Sequence, residues 1–141
     1  MNQPHEVIRM LATDVASKII RGESSKIADR LMALPARQTC VSAVTRSELM
    51  YGLNQFHEYE HAILPVQEFL KIVHTLSWDA AAADRYATLR HELVQRGVNA
   101  GEKDIEIAAH SLAIGAVLVT TNFSSFANIS ASLALENWSD S

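Results

Sequence analysis

The sequence contains little cysteine, glycine or proline, and each scarcity excludes a class of structure. The one cysteine, Cys40, cannot form an internal disulfide. It stands in the apolar run TCVSAV, which indicates a buried, reduced thiol and therefore a cytoplasmic protein. With five glycines and three prolines there is no linker-like stretch, so residues 1–141 are predicted to form a single domain.

Long hydrophobic runs are also missing. No stretch approaches the roughly 18 uninterrupted apolar residues of a membrane span, although 48% of the residues are hydrophobic. The polar residues 2–6, NQPHE, do not resemble a signal peptide. We therefore expect an unexported protein with a sizeable core and no membrane partner.

The sequence has no excess of positive charge, because its net charge is −4. This argues against sequence-blind binding of nucleic acid, which needs a broad basic surface to displace counterions from phosphates. A local basic group does occur early in the chain, at Lys18, Arg21, Lys26 and Arg30. Such charges on amphipathic helices are usually a solvated face, and contact with a nucleic-acid backbone is the alternative.

Short apolar runs alternate with helical patterns along the chain. The runs that predict strands cover residues 7–11, 40–44, 74–78, 116–120 and 132–135. The patterns that predict helices cover two short segments between residues 15 and 34, and then residues 45–55, 59–73, 79–96 and 102–114. Strands that alternate with helices predict a parallel sheet covered on both faces, which is an α/β sandwich.

Polar side chains follow several of these strands, at the sheet edge where sites of such folds form. Ala12, Thr13 and Asp14 follow the first strand, and Thr45 and Glu48 follow the second. The helix at 102–114 opens with Glu102, Asp104 and Glu106, and the fourth strand is followed by Thr120, Thr121 and Asn122. Converging carboxylates repel one another unless a cation neutralises them. Mg²⁺ or Mn²⁺ fits best, because both prefer oxygen ligands.

Each acid also has a purely structural interpretation. Thr45 and Glu48 fit a capping box, in which Glu48 would bond to the backbone of Thr45. Asp14 could cap a helix that opens at residue 15, and Asp104 suits the first turn of a helix. Asn122 could simply form a turn. Spacing alone leaves these alternatives open.

Four stretches carry more information together than separately: MLATDV, VTRSELMYG, GEKDIEIAAHSLAIGAVLVTTN and LALENW. In this order they resemble the PIN-domain ribonucleases, specifically the VapC-type toxins of bacterial toxin–antitoxin modules, over nearly the whole chain. The first stretch of that family reads Leu-Asp-Thr-Asn or Leu-Asp-Thr-Asp. Ala12 therefore stands where the family has its first catalytic aspartate.

The resemblance implies a fold and a set of site residues. The fold is a PIN-like α/β/α sandwich with a central, mostly parallel sheet of four to five strands. The catalytic and metal-binding positions are Glu48, Asp104 and the position of Ala12, with Asn122 as a weaker fourth metal ligand.

Other polar residues would support these ligands rather than replace them. The resemblance places Thr13, Asp14 and Thr120 around the site as orienting groups. We do not expect Asp14 to substitute for the missing carboxylate, because the turn into the following helix carries it away from position 12.

The implied activity is Mg²⁺- or Mn²⁺-dependent endonucleolytic cleavage of structured RNA, such as tRNA or rRNA. The implied partners are the RNA, a cognate antitoxin protein and a second copy of the chain, with residues 59–73 as the dimer surface. The basic group Lys18, Arg21, Lys26 and Arg30 would guide the RNA backbone. The alanine at position 12, whether engineered or natural, predicts impaired catalysis in this chain.

Two other functional classes were weighed. The chain could be a non-catalytic module that only binds an antitoxin. A receiver-like phosphoacceptor fits poorly, because the sequence has no aspartate at the end of the central strand and no lysine after the last one. The histidines are predicted to be structural, with His110 packed in the core and His57 and His61 on the surface.

Overall fold

Residues 6–55 and 59–139 are described by the computed structural model, and they form a sheet between two layers of helices. The predictions for residues 2–5 and for His57 lie outside these ranges. Within the described residues, no helix combines the length and the apolar character that a membrane crossing needs.

Five strands and seven α-helices follow one another along the described chain. The strands are β1 (Arg9–Leu11), β2 (Thr39–Ser42), β3 (His74–Leu76), β4 (Val117–Val119) and β5 (Ala134–Glu136). The helices are α1 (Thr13–Ile20), α2 (Ser25–Met32), α3 (Ala43–Leu53), α4 (Tyr59–Ile72), α5 (Ala80–Arg96), α6 (Glu102–Ile114) and α7 (Phe123–Ile129). The sequence did not predict α7, and it placed the start of α3 two residues late.

All strand pairs of the sheet are parallel, in the order β3-β2-β1-β4-β5. In the centre of the sheet, Met10 pairs with Cys40 on one side and Leu118 on the other. Parallel neighbours need crossover connections, which the helices supply. The predicted parallel sheet is confirmed, and the carboxyl ends of β1, β2 and β4 lie side by side.

The sheet buries both of its faces. Successive side chains of β1 point to opposite faces, and Met10 and Leu11 are both 0% exposed. Met10 belongs to a buried cluster with residues of α5 and α6, such as Leu89 and Ala108. Leu11 belongs to a second cluster that includes Ile27 of α2. The predicted α/β/α sandwich is therefore confirmed.

A cluster of polar groups ties the outer strand β5 to the central strand. Arg9 donates from Nε to Glu136 Oε1 at 2.9 Å and from Nη2 to Oε2 at 3.2 Å. The indole of Trp138, itself 1% exposed, donates to Glu136 Oε1 at 2.7 Å. The pKa of Glu136 is lowered, mainly by the hydrogen bond from Arg9, so the carboxylate stays charged. This fixes the LALENW segment against β1 and β4.

Candidate active site

The candidate site lies at the carboxyl edge of the sheet, where three strands turn directly into helices or a polar turn. Ala12 separates β1 from α1, Ser42 ends β2 and caps α3, and Thr120 follows β4. Because the strands are parallel, these turns lie at one edge. Ala12 and Asn122 stand in the turns after β1 and β4, whereas Glu48 and Asp104 lie within α3 and α6.

Position 12 is buried and apolar. Ala12 is 1% exposed, and its backbone N–H donates to the carbonyl of Val119 at 2.9 Å. Its methyl group belongs to the buried cluster that contains Val44 of α3 and Ile105 of α6, the neighbours of Thr45 and Asp104. A longer side chain at position 12 would therefore begin close to the helices that carry Glu48 and Asp104.

Glu48 is bound to the start of α1 rather than to its own helix terminus. Thr13 donates from its hydroxyl to Glu48 Oε1 at 2.6 Å, and the same hydroxyl lies 3.1 Å from Thr45 Oγ1. The capping residue of α3 is Ser42, whose side chain accepts from the Val44 N–H. The capping-box interpretation of Thr45 and Glu48 is therefore wrong, because the helix begins two residues earlier.

Asp14 joins α1 to the turn after β4. Its Oδ2 accepts from the Thr121 N–H at 2.8 Å, from Thr121 Oγ1 at 2.6 Å and from Thr120 Oγ1 at 3.1 Å. Helix α1 begins at Thr13 with Ala12 as its N-cap, so Asp14 lies in the first turn and caps nothing. The N-cap interpretation of Asp14 is wrong.

Asp104 is half-buried in the first turn of α6, and its charge is affected by the other two acids. Burial raises the pKa of Asp104, and the charges of Glu48 and then Asp14 raise it further. The charges of Glu48 and Asp14 are thus near enough to affect the ionisation of Asp104. Asn122, in contrast, is exposed, and its backbone N–H donates to Thr120 Oγ1 at 2.9 Å.

A buried histidine connects the two helices that carry Glu48 and Asp104. His110 of α6 is 1% exposed, and its Nδ1 lies 2.8 Å from the hydroxyl of Ser42. Burial lowers the pKa of His110, which favours the neutral imidazole. The prediction of a packed His110 is confirmed. The Ser42 contact was missed because no local pattern links residues 68 positions apart.

The donor chemistry at this edge suits a hard divalent cation, but the number of ligands falls short. Glu48, Asp104 and Asp14 offer only oxygen atoms, the ligands that Mg²⁺ and Mn²⁺ prefer. Within residues 6–55 and 59–139, no three Asp, Glu, His or Cys side chains are grouped closely enough to hold one ion. Ala12 contributes no ligand at the position where one is expected.

The early basic residues are not a bare positive patch. Lys18 lies 3.9 Å from Glu23, and Arg21 forms an ion pair with the same carboxylate, whose pKa is lowered mainly by Arg21. The guanidinium of Arg30 stacks 5.6 Å from the centre of the Trp138 ring. Lys26 is exposed on α2.

An apolar cleft opens beside Glu48. It has a volume of about 540 Å³ and is bounded by α1, α3 and α4. Its polar lining consists of Ser17, Arg21, Glu48 and Gln55, and the apolar lining includes Ile20, Leu49, Leu53, Ala62, Pro65 and Val66. Pro65 lies inside α4, which continues through it as one helix.

Supporting residues that the sequence could not single out are Thr45 and Thr121. Thr45 is fully buried next to Thr13, and Thr121 holds Asp14 through two bonds. Both stood in the polar segments after predicted strands. The sequence therefore indicated that these segments are polar, but only the structure shows which of the neighbouring threonines contact other site residues.

Comparison with known proteins agrees with this architecture. The sequence model of the PIN domain family matches residues 10–131. The chain is 33% identical over 129 residues to Ribonuclease VapC2 of Haemophilus influenzae, covering 92% of this chain and 96% of that protein. It is 31% identical to the tRNA(fMet)-specific endonuclease VapC of Shigella flexneri, covering 92% and 97%.

A solved structure gives the same result. The crystal structure of DNA-bound VapBC from Salmonella typhimurium contains a chain that superposes with a TM-score of 0.88 at 30% identity, covering 94% of this chain and 98% of that one. The fold, the edge that carries the acids and the sequence likeness thus coincide, and the chain belongs to the PIN-domain family, among its VapC-type proteins.

Proposed function

We propose that this chain is a VapC-type endoribonuclease toxin whose site depends on Mg²⁺ or Mn²⁺. The observation that carries the proposal is the convergence of acids at one sheet edge: Glu48 is bound to Thr13 beside position 12, and the pKa of half-buried Asp104 is raised by burial and then by the charges of Glu48 and Asp14. Carboxylates that repel one another gain most from a divalent cation, and clustered acids with perturbed pKa values mark functional sites. The relatives named as ribonucleases support this activity.

Glu48 and Asp104 are the residues that would hold the cation, together with a carboxylate at position 12 where one is present. When bound, such an ion lowers the pKa of a water molecule and stabilises charge on the phosphate. Thr13 orients the Glu48 carboxylate through its 2.6 Å hydrogen bond. Asp14 fixes the first turn of α1 to Thr120 and Thr121, and so holds Thr13 in place.

Asn122 and the basic residues have secondary roles in this proposal. The exposed amide of Asn122 stands at the same edge and is the weakest candidate ligand. Lys18, Arg21, Lys26 and Arg30 would contact the RNA backbone, and Arg21 lines the same cleft as Glu48. The substrate would be a structured RNA such as tRNA or rRNA, whose unpaired loops proteins read most readily.

We further propose that Ala12 impairs catalysis. A site that lacks one carboxylate holds its cation and water less firmly, and deletions of single catalytic groups cost roughly 10²–10⁴ in rate. An engineered replacement and a natural loss would have the same chemical effect.

A cognate antitoxin is the proposed protein partner, acting in the cytoplasm. The solved relatives are toxin–antitoxin complexes, and the apolar cleft beside Glu48 offers a surface on which a partner segment would bury apolar side chains next to the acids. Homodimer formation through residues 59–73 is proposed as well, and α4 lines this cleft.

Cleavage of total RNA by the Ala12→Asp variant tests the proposal. We expect metal-dependent cleavage by Ala12→Asp, much weaker cleavage by the chain as it stands, and none when EDTA is added. Ala12→Asn is the matched control, because it adds the same volume without the charge. If Ala12→Asp is as inert as Ala12→Asn, the missing-ligand hypothesis is wrong.

The second candidate function is a non-catalytic antitoxin-binding module. It is favoured by one observation, namely that no group of three metal-ligating side chains exists in the described part of the chain. Calorimetric titration with Mn²⁺ separates the two functions. A binding module shows no Mn²⁺ affinity even in the Ala12→Asp variant, whereas a nuclease site gains affinity when the carboxylate is present.

A further inference from the structure

Two aromatic rings stand out because the fold does not bury them. Among the aromatic side chains that the structure describes, Trp138, Phe69 and Phe126 are at most 3% exposed. Tyr51 and Phe123, in contrast, are 66% and 46% exposed. Both belong to helices that begin at the carboxyl edge of the sheet.

Phe123 stands directly beside the turn that holds Asp14. It is the first residue of α7, three residues before Phe126, which is anchored in the core. Helical spacing puts the two rings on the same side of α7, but Phe123 lies outside the core, at the end of the helix nearest β4. Long side chains in a helix lean toward its N-terminus. The ring of Phe123 therefore leans toward the turn formed by residues 120–122.

Tyr51 has the corresponding place on α3. It follows Glu48 by three residues, so the two side chains lie on the same side of the helix. The backward lean of a helical side chain carries the ring toward the turn that contains Glu48. Tyr51 does not line the apolar cleft. The two exposed rings thus belong to α3 and α7, the helices that follow β2 and β4 at the acidic edge.

We propose that Tyr51 and Phe123 stack on unpaired RNA bases on either side of the phosphate that is cleaved, an inference that rests on the proposed ribonuclease function. Every base has a π-face, so exposed rings bind unpaired nucleotides without requiring a particular sequence. Stacking also needs no positive charge. This suits a chain whose net charge is −4 and whose Lys18 and Arg21 are paired with Glu23.

Fluorescence anisotropy with a short fluorescein-labelled 2′-O-methyl oligouridine, in buffer containing Mg²⁺, tests the proposal on the full chain. This probe resists cleavage, so binding is measured alone. We expect Phe123→Ala and Tyr51→Ala each to weaken binding by about 5- to 100-fold, the range of measured single-ring losses. Phe123→Leu should lose affinity for the probe as Phe123→Ala does, and Phe123→Trp should bind the probe as tightly as the native chain.

Two controls separate stacking from other effects. Val94→Ala changes a residue that is 68% exposed on α5 and should leave binding unchanged. An abasic version of the probe should bind the native chain more weakly than the normal probe binds either single-ring variant, because it loses stacking on both rings. Circular dichroism and thermal melting check that each variant is folded.

The outcomes distinguish this inference from the proposed function. If the native chain binds the oligouridine and both ring variants bind it equally well, the stacking inference is wrong while RNA binding stands. If neither the native chain nor Ala12→Asp binds the probe or cleaves RNA, the ribonuclease proposal fails and the inference fails with it.

Discussion

Replacing Ala12 with aspartate should destabilise the metal-free chain and make its stability respond to Mg²⁺. The Ala12 methyl is 1% exposed, so a carboxylate attached there is largely removed from water. It would also join Asp104, whose pKa is already raised by burial and then by the charges of Glu48 and Asp14. Both effects favour the unfolded state, and both are reversed by a cation bound to the carboxylates.

The size of the effect follows from general energetics. An unpaired buried carboxylate costs several kcal/mol, and we expect a loss of about 2–4 kcal/mol in the free energy of unfolding without metal. For a chain of 141 residues this lowers the melting midpoint by about 7–13 °C, since the unfolding entropy is about 0.3 kcal/mol/K. A cation at about 100 times its Kd returns about 2.7 kcal/mol, which is most of the loss.

Differential scanning calorimetry in EDTA, followed by titration with Mg²⁺, measures both quantities without an activity assay. The native chain, Ala12→Asp and Ala12→Asn are compared, because the asparagine reproduces the volume of the aspartate without its charge. The reasoning is refuted if Ala12→Asp matches Ala12→Asn in EDTA, or if all three proteins respond equally to Mg²⁺.

Three further substitutions test separate parts of the structure. Glu136→Gln breaks the ion pair with the β1 arginine and should cost about 1 kcal/mol at pH 7, a figure reduced for partial exposure. Because the pKa of Glu136 is lowered in the fold, this stabilisation is complete above the ordinary carboxyl pKa and disappears as the pH falls through the lowered value. In urea unfolding, the free energies of unfolding of the native chain and the variant should therefore converge below about pH 4. Ser42→Ala removes the cap of α3 and the partner of buried His110, so urea unfolding should show a loss of about 2–3 kcal/mol, and an unchanged midpoint would contradict the contact. Thr13→Val removes the hydroxyl bound to Glu48 and should lower thermal stability by about 1–2 kcal/mol, whereas Thr13→Ser should retain it.

Strand positions and helix limits could be predicted largely from local patterns. Helix α6 was predicted at residues 102–114 and is observed as Glu102–Ile114, since Gly115 ends it with a φ of 68°. The start of α3 could not be predicted in the same way. The run CVSAV is apolar except for Ser42, and a buried strand and the first turn of a buried helix look alike in such a run. The error moved the predicted cap from Ser42 to Thr45.

The remaining differences between the sequence predictions and the structure depend on contacts between segments that are far apart in the chain. A carboxylate in the first turn of a helix can cap, pair or bind a ligand, and only the position of Thr121 decides which of these Asp14 does. Helix α7 was missed because its sequence, FSSFANI, is short and rich in serine, so its apolar spacing covers only two turns. The family resemblance singled out Glu48 and Asp104, while the geometry shows that Thr13 bonds to Glu48 and Thr121 to Asp14.

The central position of β1 also determines when the site can form during synthesis. The first strand pairs with β4, and Asp14 bonds to Thr121, 107 residues further along the chain. A growing chain therefore exposes β1 and α1 long before their partners have been translated, and such late pairing is slow because the contacts are non-local. Until β4 emerges, Asp14 lacks its donors and α6 has no completed sheet on which to place Asp104. The nascent chain would thus leave the ribosome, which itself contains RNA, with its acidic centre among the last parts to assemble.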